Sequence, residues 1–328
     1  MISVILHNRV SEDAPPDEAD VLEQVESVQQ ALENLNQKVI TLEFDLDLKK
    51  TSDELQRIKP DFVFNLVESV DGSGQLIYLA TSLLEHLKIP YTGCSNETVF
   101  LTSNKLLAKK ILKYNGIPTP DWIEINNDNS FCPFEKDKYI IKSVWEHASV
   151  DLDESNVIFA ETLDRIKSLI IEKTRKNNKI FFAERYIDGR EFNISVLAGK
   201  ILPFAEIDFS NYDDQKLKIV DYKAKWEKDS FEYNNTPRTF DFDDKDRELL
   251  REIEEITKKC LRVFNLKGYA RVDFRVDKSN RPFVLEINSN PCISPDGGFY
   301  AAAIKSGLTT ENIIAAITED SLSGPGRF

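Results

Sequence analysis

The chain has 328 residues, 41% of them apolar, enough for two or three packed domains. Its formal net charge is −14, from 42 basic and 56 acidic side chains; this excludes broad nucleic-acid or anionic-membrane binding but leaves room for a local basic pocket. The first apolar run, residues 2–6, is too short for a signal peptide or a membrane span, and no later stretch reaches membrane length. Cys94, Cys132, Cys260 and Cys292 lie far apart without a CxxC pair, so a disulfide framework is not expected and a reducing cytoplasm fits. His7, His86 and His147 show no metal-ligand spacing, and His86, inside the helical run 83–87, reads as structural.

Residues 2–6 read as a short strand. Val21, Leu22, Val25, Val28, Leu32 and Leu35 then recur on one helix face. Residues 39–44 and 61–67 are strand-like, residues 76–87 helical, and residues 89–93 close the unit. Strand–helix alternation predicts a parallel sheet of mononucleotide-binding type over residues 1–95. A second unit, 96–187, opens with Ser103 as N-cap of a helix carrying Leu106, Leu107, Ile111 and Leu112. Strands are predicted at 122–125 and 139–144, a helix at 163–171 and a strand at 180–187. In the third unit, 188–320, turns fall at 188–190 and 198–200 and a strand at 201–209. The polar, acidic stretch 228–244 predicts a mobile loop, and a helix at 246–264, two strands and a last helix follow. The tail, 321–328, is expected to fray.

The sharpest chemical signal is in residues 268–291, two strands around a turn. With the turn centred on Ser279 and Asn280, Asp273 faces Glu286, Arg271 faces Asn288, and all four project to one face. Directly opposed carboxylates repel, and a bound cation converts that repulsion into a site. Oxygen ligands from Asp, Glu and Asn suit Mg²⁺ shared with phosphates, and Arg271 beside them suits developing phosphate charge. Taken alone, the same pattern describes a solvated polar face. Lys142, inside an apolar strand, either snorkels to water or reaches a phosphate. Lys225 alone reads as a surface charge, and Glu184 and Glu191 alone as edge charges flanking a tight turn.

As a set, these residues resemble the ATP-grasp superfamily, specifically its D-alanine–D-alanine ligase branch. The resemblance covers nearly the whole chain and is most specific at Arg271-Val-Asp273, Glu286-Ile-Asn288 with Pro291, and Tyr222-Lys-Ala-Lys225. Pro90-Tyr-Thr-Gly93, Asn104-Lys105 and Gly116-Ile-Pro118 add to it. It implies an α/β chain, α+β in its C-terminal part: an ATP-grasp fold behind an N-terminal Rossmann-like domain. The implied activity is ATP-dependent carboxylate–amine ligation through an acyl phosphate, with two Mg²⁺ ions or Mn²⁺ in their place. Lys105 and Lys142 would contact ATP phosphates and Lys225 the γ-phosphate. Glu184 would accept the adenine amino group, with Arg185, Ile187 and Leu285 in the nucleotide pocket and Glu191 on the ribose. Asp273, Glu286 and Asn288 would hold metal, while Arg271, Lys225 and Ser149 would serve catalysis.

The sequence departs from the family pattern in several places. The phosphate-covering loop, 145–151, keeps Ser149 but has no glycine, which eases backbone approach to phosphate. Gly297 stands near the family's substrate serine, Trp226 at its tyrosine, and Glu68-Ser69 at its His-Gly segment. The acid for the first substrate's amino group falls within residues 17–20, with Asp17 and Glu18 as candidates, and Asp296 adds charge beside Gly297. These departures fall on the acceptor side and predict an amino acid or small peptide other than paired D-alanines. The alternatives are another nucleophile, a non-catalytic ATP-binding protein and a true D-alanine–D-alanine ligase. A cytoplasmic enzyme of small substrates is expected, with no nucleic-acid or membrane partner; a homodimer through the N-terminal unit is a further implication.

Overall fold

The computed structural model describes residues 1–125, 132–146, 149, 152–213 and 215–323. Most of the loop 145–151, expected from the resemblance to cover phosphate (147, 148, 150 and 151), and the end of the tail lie outside these residues.

In the first unit the strand Ile2–Asn8 pairs in parallel with Lys38–Phe44 on one side and Phe62–Leu66 on the other. Both faces of this sheet are covered, as a parallel sheet requires. Ile5, Phe62 and Phe64 pack on Val21, Val25, Val28 and Leu32 of the helix Pro16–Asn34. Val4, Leu6 and Val63 pack on the opposite side against Leu55, Ala80 and Leu84. The first of these cores also takes in Phe299, Ala302, Ile313 and Ile317 from the last two helices, Gly298–Lys305 and Thr310–Ser323.

The second unit corrects one expectation. Ser103 caps nothing; it ends a helix, Asn96–Ser103, whose own N-cap is Ser95. Asn104 caps the following helix, Lys105–Tyr114, by accepting from the Leu107 amide. The earlier helix escaped the reading because it carries no apolar stripe, so periodicity gives no signal. A four-stranded antiparallel sheet follows, in the order Trp122–Ile123, Phe181–Arg185, Asp137–Ser143, Val157–Ala160. Its helix runs to Asn177, beyond the expected 171.

The third unit is a sheet in the order Arg238–Thr239, Ala205–Ile207, Gly189–Leu197, Tyr269–Asp277, Pro282–Asn288, with Lys200–Ile201 beside Gly189–Leu197. The single strand expected at 201–209 is split around Pro203, which has no N–H to give to a ladder. Residues 228–244 are not wholly irregular: they include the helical turn Phe231–Asn234 and the edge strand Arg238–Thr239. Phe192, Ile194, Val272, Phe274 and Val276 turn one sheet face onto Leu249, Ile253 and Cys260 of the helix Arg247–Val263. Strand alternation puts the charged residues on the other face. Among the described residues no helix is long and apolar enough to cross a membrane, and no disulfide forms.

Candidate active site

The hairpin pairs Asp273 with Glu286 and Arg271 with Asn288, as read from the sequence. Next to the turn, however, the register differs by one residue from that expected: Arg275 pairs with Phe283 and Val276 with Pro282, which centres the turn on Ser279. A bulge between Asp273 and Phe274 restores the register by leaving Leu285 unpaired. Leu285 lines the cavity beside this sheet.

The repulsion expected between Asp273 and Glu286 is largely offset within the protein. Arg271 donates Nε to Asp273 Oδ1 at 2.7 Å and Nη2 to Oδ2 at 2.8 Å. Asn193, opposite Asp273 on the neighbouring strand, adds a bond of 2.9 Å to Oδ1. Lys105 Nζ lies 3.5 Å from Glu286 and also donates to the Glu146 carbonyl. Arg275 pairs with Glu191 at 3.3 Å. Burial opposes the Arg271 charge, but the bond to Asp273 reverses that and leaves its pKa raised. Burial, aided by Arg271, pushes Lys225 down. Burial also pushes Glu191 up, against the pull of Arg275.

This polar face, the four-stranded sheet and the first long helix enclose a cavity of about 610 Å³. Lys105, Lys142, Ser149, Arg185, Ile187 and Lys225 line it, as do Glu184, Glu191, Arg271, Asp273, Glu286 and Asn288. Lys225, read as a surface charge when taken alone, sits in a short helix, Tyr222–Trp226, facing inward. The Ser149 hydroxyl donates to the Val220 carbonyl at 2.8 Å, and its φ is 61°.

Glu184 is 1% exposed and held from two sides. Lys142 donates to Oε1 and Lys109 to Oε2, each at 2.6 Å. Burial works against the Glu184 charge, but the two lysines outweigh it and hold the carboxyl below its ordinary range. Lys109 was not singled out in the sequence, because it looks like any basic position on the helix. Arg275 and Asn193 were missed too, although the alternation that exposes Glu191 would have found both.

The far end of the cavity is acidic. Glu68, Trp226, Asp296 and Gly297 line it as expected, but Asp17 and Glu18 do not. Helical phase turns Pro16, Ala19, Asp20 and Glu23 inward instead, and Asp17 accepts from the Tyr222 hydroxyl at 2.8 Å. Carboxylate oxygens of Asp20, Glu23 and Asp296 lie within 4.8 Å of one another. Ser294 Oγ donates to Asp20 at 2.9 Å, and Gln24 bridges Asp20 and Glu68 at 3.1 and 3.0 Å. Burial pushes the Glu68 carboxyl up to about 7; the Gln24 bond pulls down and Asp20 pushes up.

The donor set fits Mg²⁺. Asp273, Glu286 and Asn288 present only hard oxygens, and a carboxylate has about four lone-pair sites, so Asp273 keeps accepting capacity beside Arg271. The lysines on the adjoining wall suit a polyphosphate. A family model described as D-ala D-ala ligase C-terminus matches residues 111–319. The chain belongs to this family. It is 30% identical over 293 residues to a D-alanine–D-alanine ligase of Aquifex aeolicus, covering 89% of this chain and 92% of that protein. It is 28% identical over 313 residues to one from Carboxydothermus hydrogenoformans, covering 91% and 92%. A solved D-alanine–D-alanine ligase from Bacillus anthracis, complexed with ATP, superposes with a TM-score of 0.74 at 21% identity, covering 98% of each chain. The fold is therefore ATP-grasp and the chain an ATP-grasp ligase.

Proposed function

We propose that this ligase activates a substrate carboxylate with Mg²⁺-ATP and joins it to the amino group of a second amino acid or small peptide, the pair being other than two D-alanines. The observation that carries this reading is one cavity, with lysines and Glu184 on one wall, the Asp273–Glu286–Asn288 face beneath, and carboxylates at the far end.

A carboxylate is a poor electrophile because its leaving group would be oxide. Moving the γ-phosphoryl group from ADP, which leaves with the P–O bonding pair, onto a carboxylate oxygen gives an acyl phosphate. The second substrate's ammonium gives one proton to water, the free amine attacks the carbonyl carbon, phosphate departs with the C–O bonding pair, and the nitrogen releases a second proton, keeping one as the amide N–H. Such a reaction needs positioning and charge neutralisation rather than a protein nucleophile. Lys105, Lys142 and Lys225 would hold the phosphates. Glu184 would accept from the adenine amino group, with Arg185, Ile187 and Leu285 around the ring and Glu191 on the ribose. Asp273, Glu286 and Asn288 would bind two Mg²⁺ ions, or Mn²⁺, whose contribution is to neutralise phosphate charge. Arg271 would stabilise charge on the tetrahedral intermediate, and Ser149 would support the loop above it.

The surplus of acid supports the departure from paired D-alanines. One inward carboxylate, Asp20, suffices for the first substrate's ammonium; Glu23 and Asp296 beside it repel a substrate carboxylate and favour a further cationic group. The second reading is D-alanine–D-alanine ligation itself, which the names of the relatives favour. The sequence reading places the work in the cytoplasm.

A matrix of paired amino acids, scored by mass for ATP-dependent condensation, separates the two. The expected result is a product containing a basic or larger acceptor, formed faster than D-alanyl-D-alanine. Condensation of two D-alanines as fast as any other pair would return the simpler assignment.

A further inference from the structure

Lys109 is buried, 1% exposed, and absent from the cavity lining. Its Nζ donates to Glu184 Oε2 at 2.6 Å and to Thr119 Oγ1 at 2.7 Å, and it lies over the Trp122 ring, 5.4 Å from the centroid. Thr119 in turn donates to the Val284 carbonyl, next to the bulged Leu285. A buried cation is costly unless it is paired, so this placement calls for a reason beyond packing. The second lysine on Glu184 differs: Lys142 is 18% exposed at the side chain and lines the cavity, where phosphate competes for it.

We propose that Lys109 is the positioning residue for nucleobase choice: it holds Glu184 as an acceptor-only carboxylate, which selects a base bearing an amino group over one bearing a carbonyl at that position. The inference rests on the assignment of Glu184 to the base made above. An ionised carboxylate only accepts, whereas a protonated one also donates. The 6-amino group of adenine donates, and the 6-oxo group of hypoxanthine accepts. When Lys142 turns to phosphate, Lys109 alone keeps a buried Glu184 charged. Without Lys109, burial would raise the Glu184 pKa, and the protonated acid would accommodate a carbonyl. The other groups around this pair leave the balance to Lys109. Trp122 contributes a neutral ring, and beyond it Lys113 is bonded to Asp121 at 2.9 Å and to the Cys132 thiol at 3.1 Å.

Binding of Mg²⁺-ATP and Mg²⁺-ITP to the full chain, measured by calorimetry, tests this without the amino-acid substrate. The wild type is expected to prefer ATP by roughly 10–100-fold, the size of one hydrogen bond to a charged group. Lys109→Met should reduce that preference by about 10-fold, and more at about pH 5.5 than at about pH 7.5, because Glu184 then gains a proton as the pH falls. Lys109→Arg, which keeps the charge, should retain the preference. A preference unchanged in Lys109→Met at both pH values overturns the inference. Glu184→Gln separates the two layers. Loss of preference there but not in Lys109→Met rejects the role of Lys109 alone, whereas no loss in Glu184→Gln rejects the base assignment itself. If Lys109→Met does not fold, the wild type decides: a preference constant across this range supports the inference, and one that collapses toward acid overturns it.

Discussion

Asp273 and Glu286 face each other across two strands, yet their charges are held differently. Asp273 takes two hydrogen bonds from Arg271 and one from Asn193, whereas Lys105 stands 3.5 Å from Glu286. Asp273→Asn leaves the mostly buried Arg271 without its charged partner, which should cost about 1–3 kcal/mol of stability. Glu286→Gln should cost less, and both variants should lose turnover. Thermal melts with a phosphate-release assay check this; equal melting shifts, or turnover retained in either variant, would contradict it. The carboxylate pair was legible because one contiguous hairpin carries it and strand alternation fixes its face. The tie from Arg271, two residues away on the same face, was equally derivable, and it outweighs the relief of carboxylate repulsion that losing the Asp273 charge would bring. Lys109 was not legible, because it stands on a helix and its partner Glu184 lies 75 residues away on the strand Phe181–Arg185.

At the scale of elements, a break between strands was legible near Asp188-Gly189-Arg190, but the turn lies before Gly189, which with Arg190 already belongs to the strand Gly189–Leu197, and the reason for this glycine was not legible. A Cβ on Gly189 would lie 1.9 Å from the Val276 carbonyl oxygen on the adjacent strand, and the Gly189 carbonyl itself accepts from Arg275 at 3.1 Å. Gly189→Ala must push these strands apart between Ile187 and Glu191, two residues assigned to the nucleotide. The expected cost is about 1–3 kcal/mol, with weaker Mg²⁺-ATP binding. Gly199→Ala is the control: φ there is +74°, but nothing lies within 4 Å, so strain of about 1 kcal/mol should leave nucleotide binding intact. Melting curves and titrations that cannot tell the two variants apart would remove the argument. The bulge at Leu285 shows the same limit on reading a hairpin. Pairing at Asp273 and Arg271 came out as expected although the register next to the turn differs by one residue, because the extra residue is absorbed between the turn and the site.

Across the whole molecule, the cavity's acidic end is assembled from segments remote in the chain. Ser294 bonds Asp20, Asn290 donates to the Val67 carbonyl at 2.9 Å, and the Tyr222 hydroxyl reaches Asp17. The sequence offered residues 17–20 for a substrate acid but could not tell which of them faces the cavity, since helical phase against a distant loop turns Asp20 inward. The stretch 228–244 closes over the same space. Lys228, Tyr233, Thr236, Pro237 and Arg238 line the cavity, and Arg238 donates to the Asp296 carbonyl at 3.1 Å. None of its residues is fully buried: Phe240 and Phe242 pack against the cores at its C-terminal end, but the part before them is fastened by a short edge pairing, this bond, the Lys216–Glu232 ion pair of 2.7 Å and the contact of Phe231 with Tyr212. Segments held this way open at low free energy. Mg²⁺-ATP and substrates filling the cavity would add contacts on its inner face and keep water from an acyl phosphate. Trypsin cleavage after Lys228, Arg238 or Lys245 should therefore slow several-fold when Mg²⁺-ATP and an accepted amino-acid pair are both present, and less with nucleotide alone. Cleavage within the helix Arg247–Val263 supplies the internal reference, because Leu249, Ile253 and Cys260 tie that helix to the core in either state. Equal rates at 228–245 with and without ligands would show that this segment does not close on them.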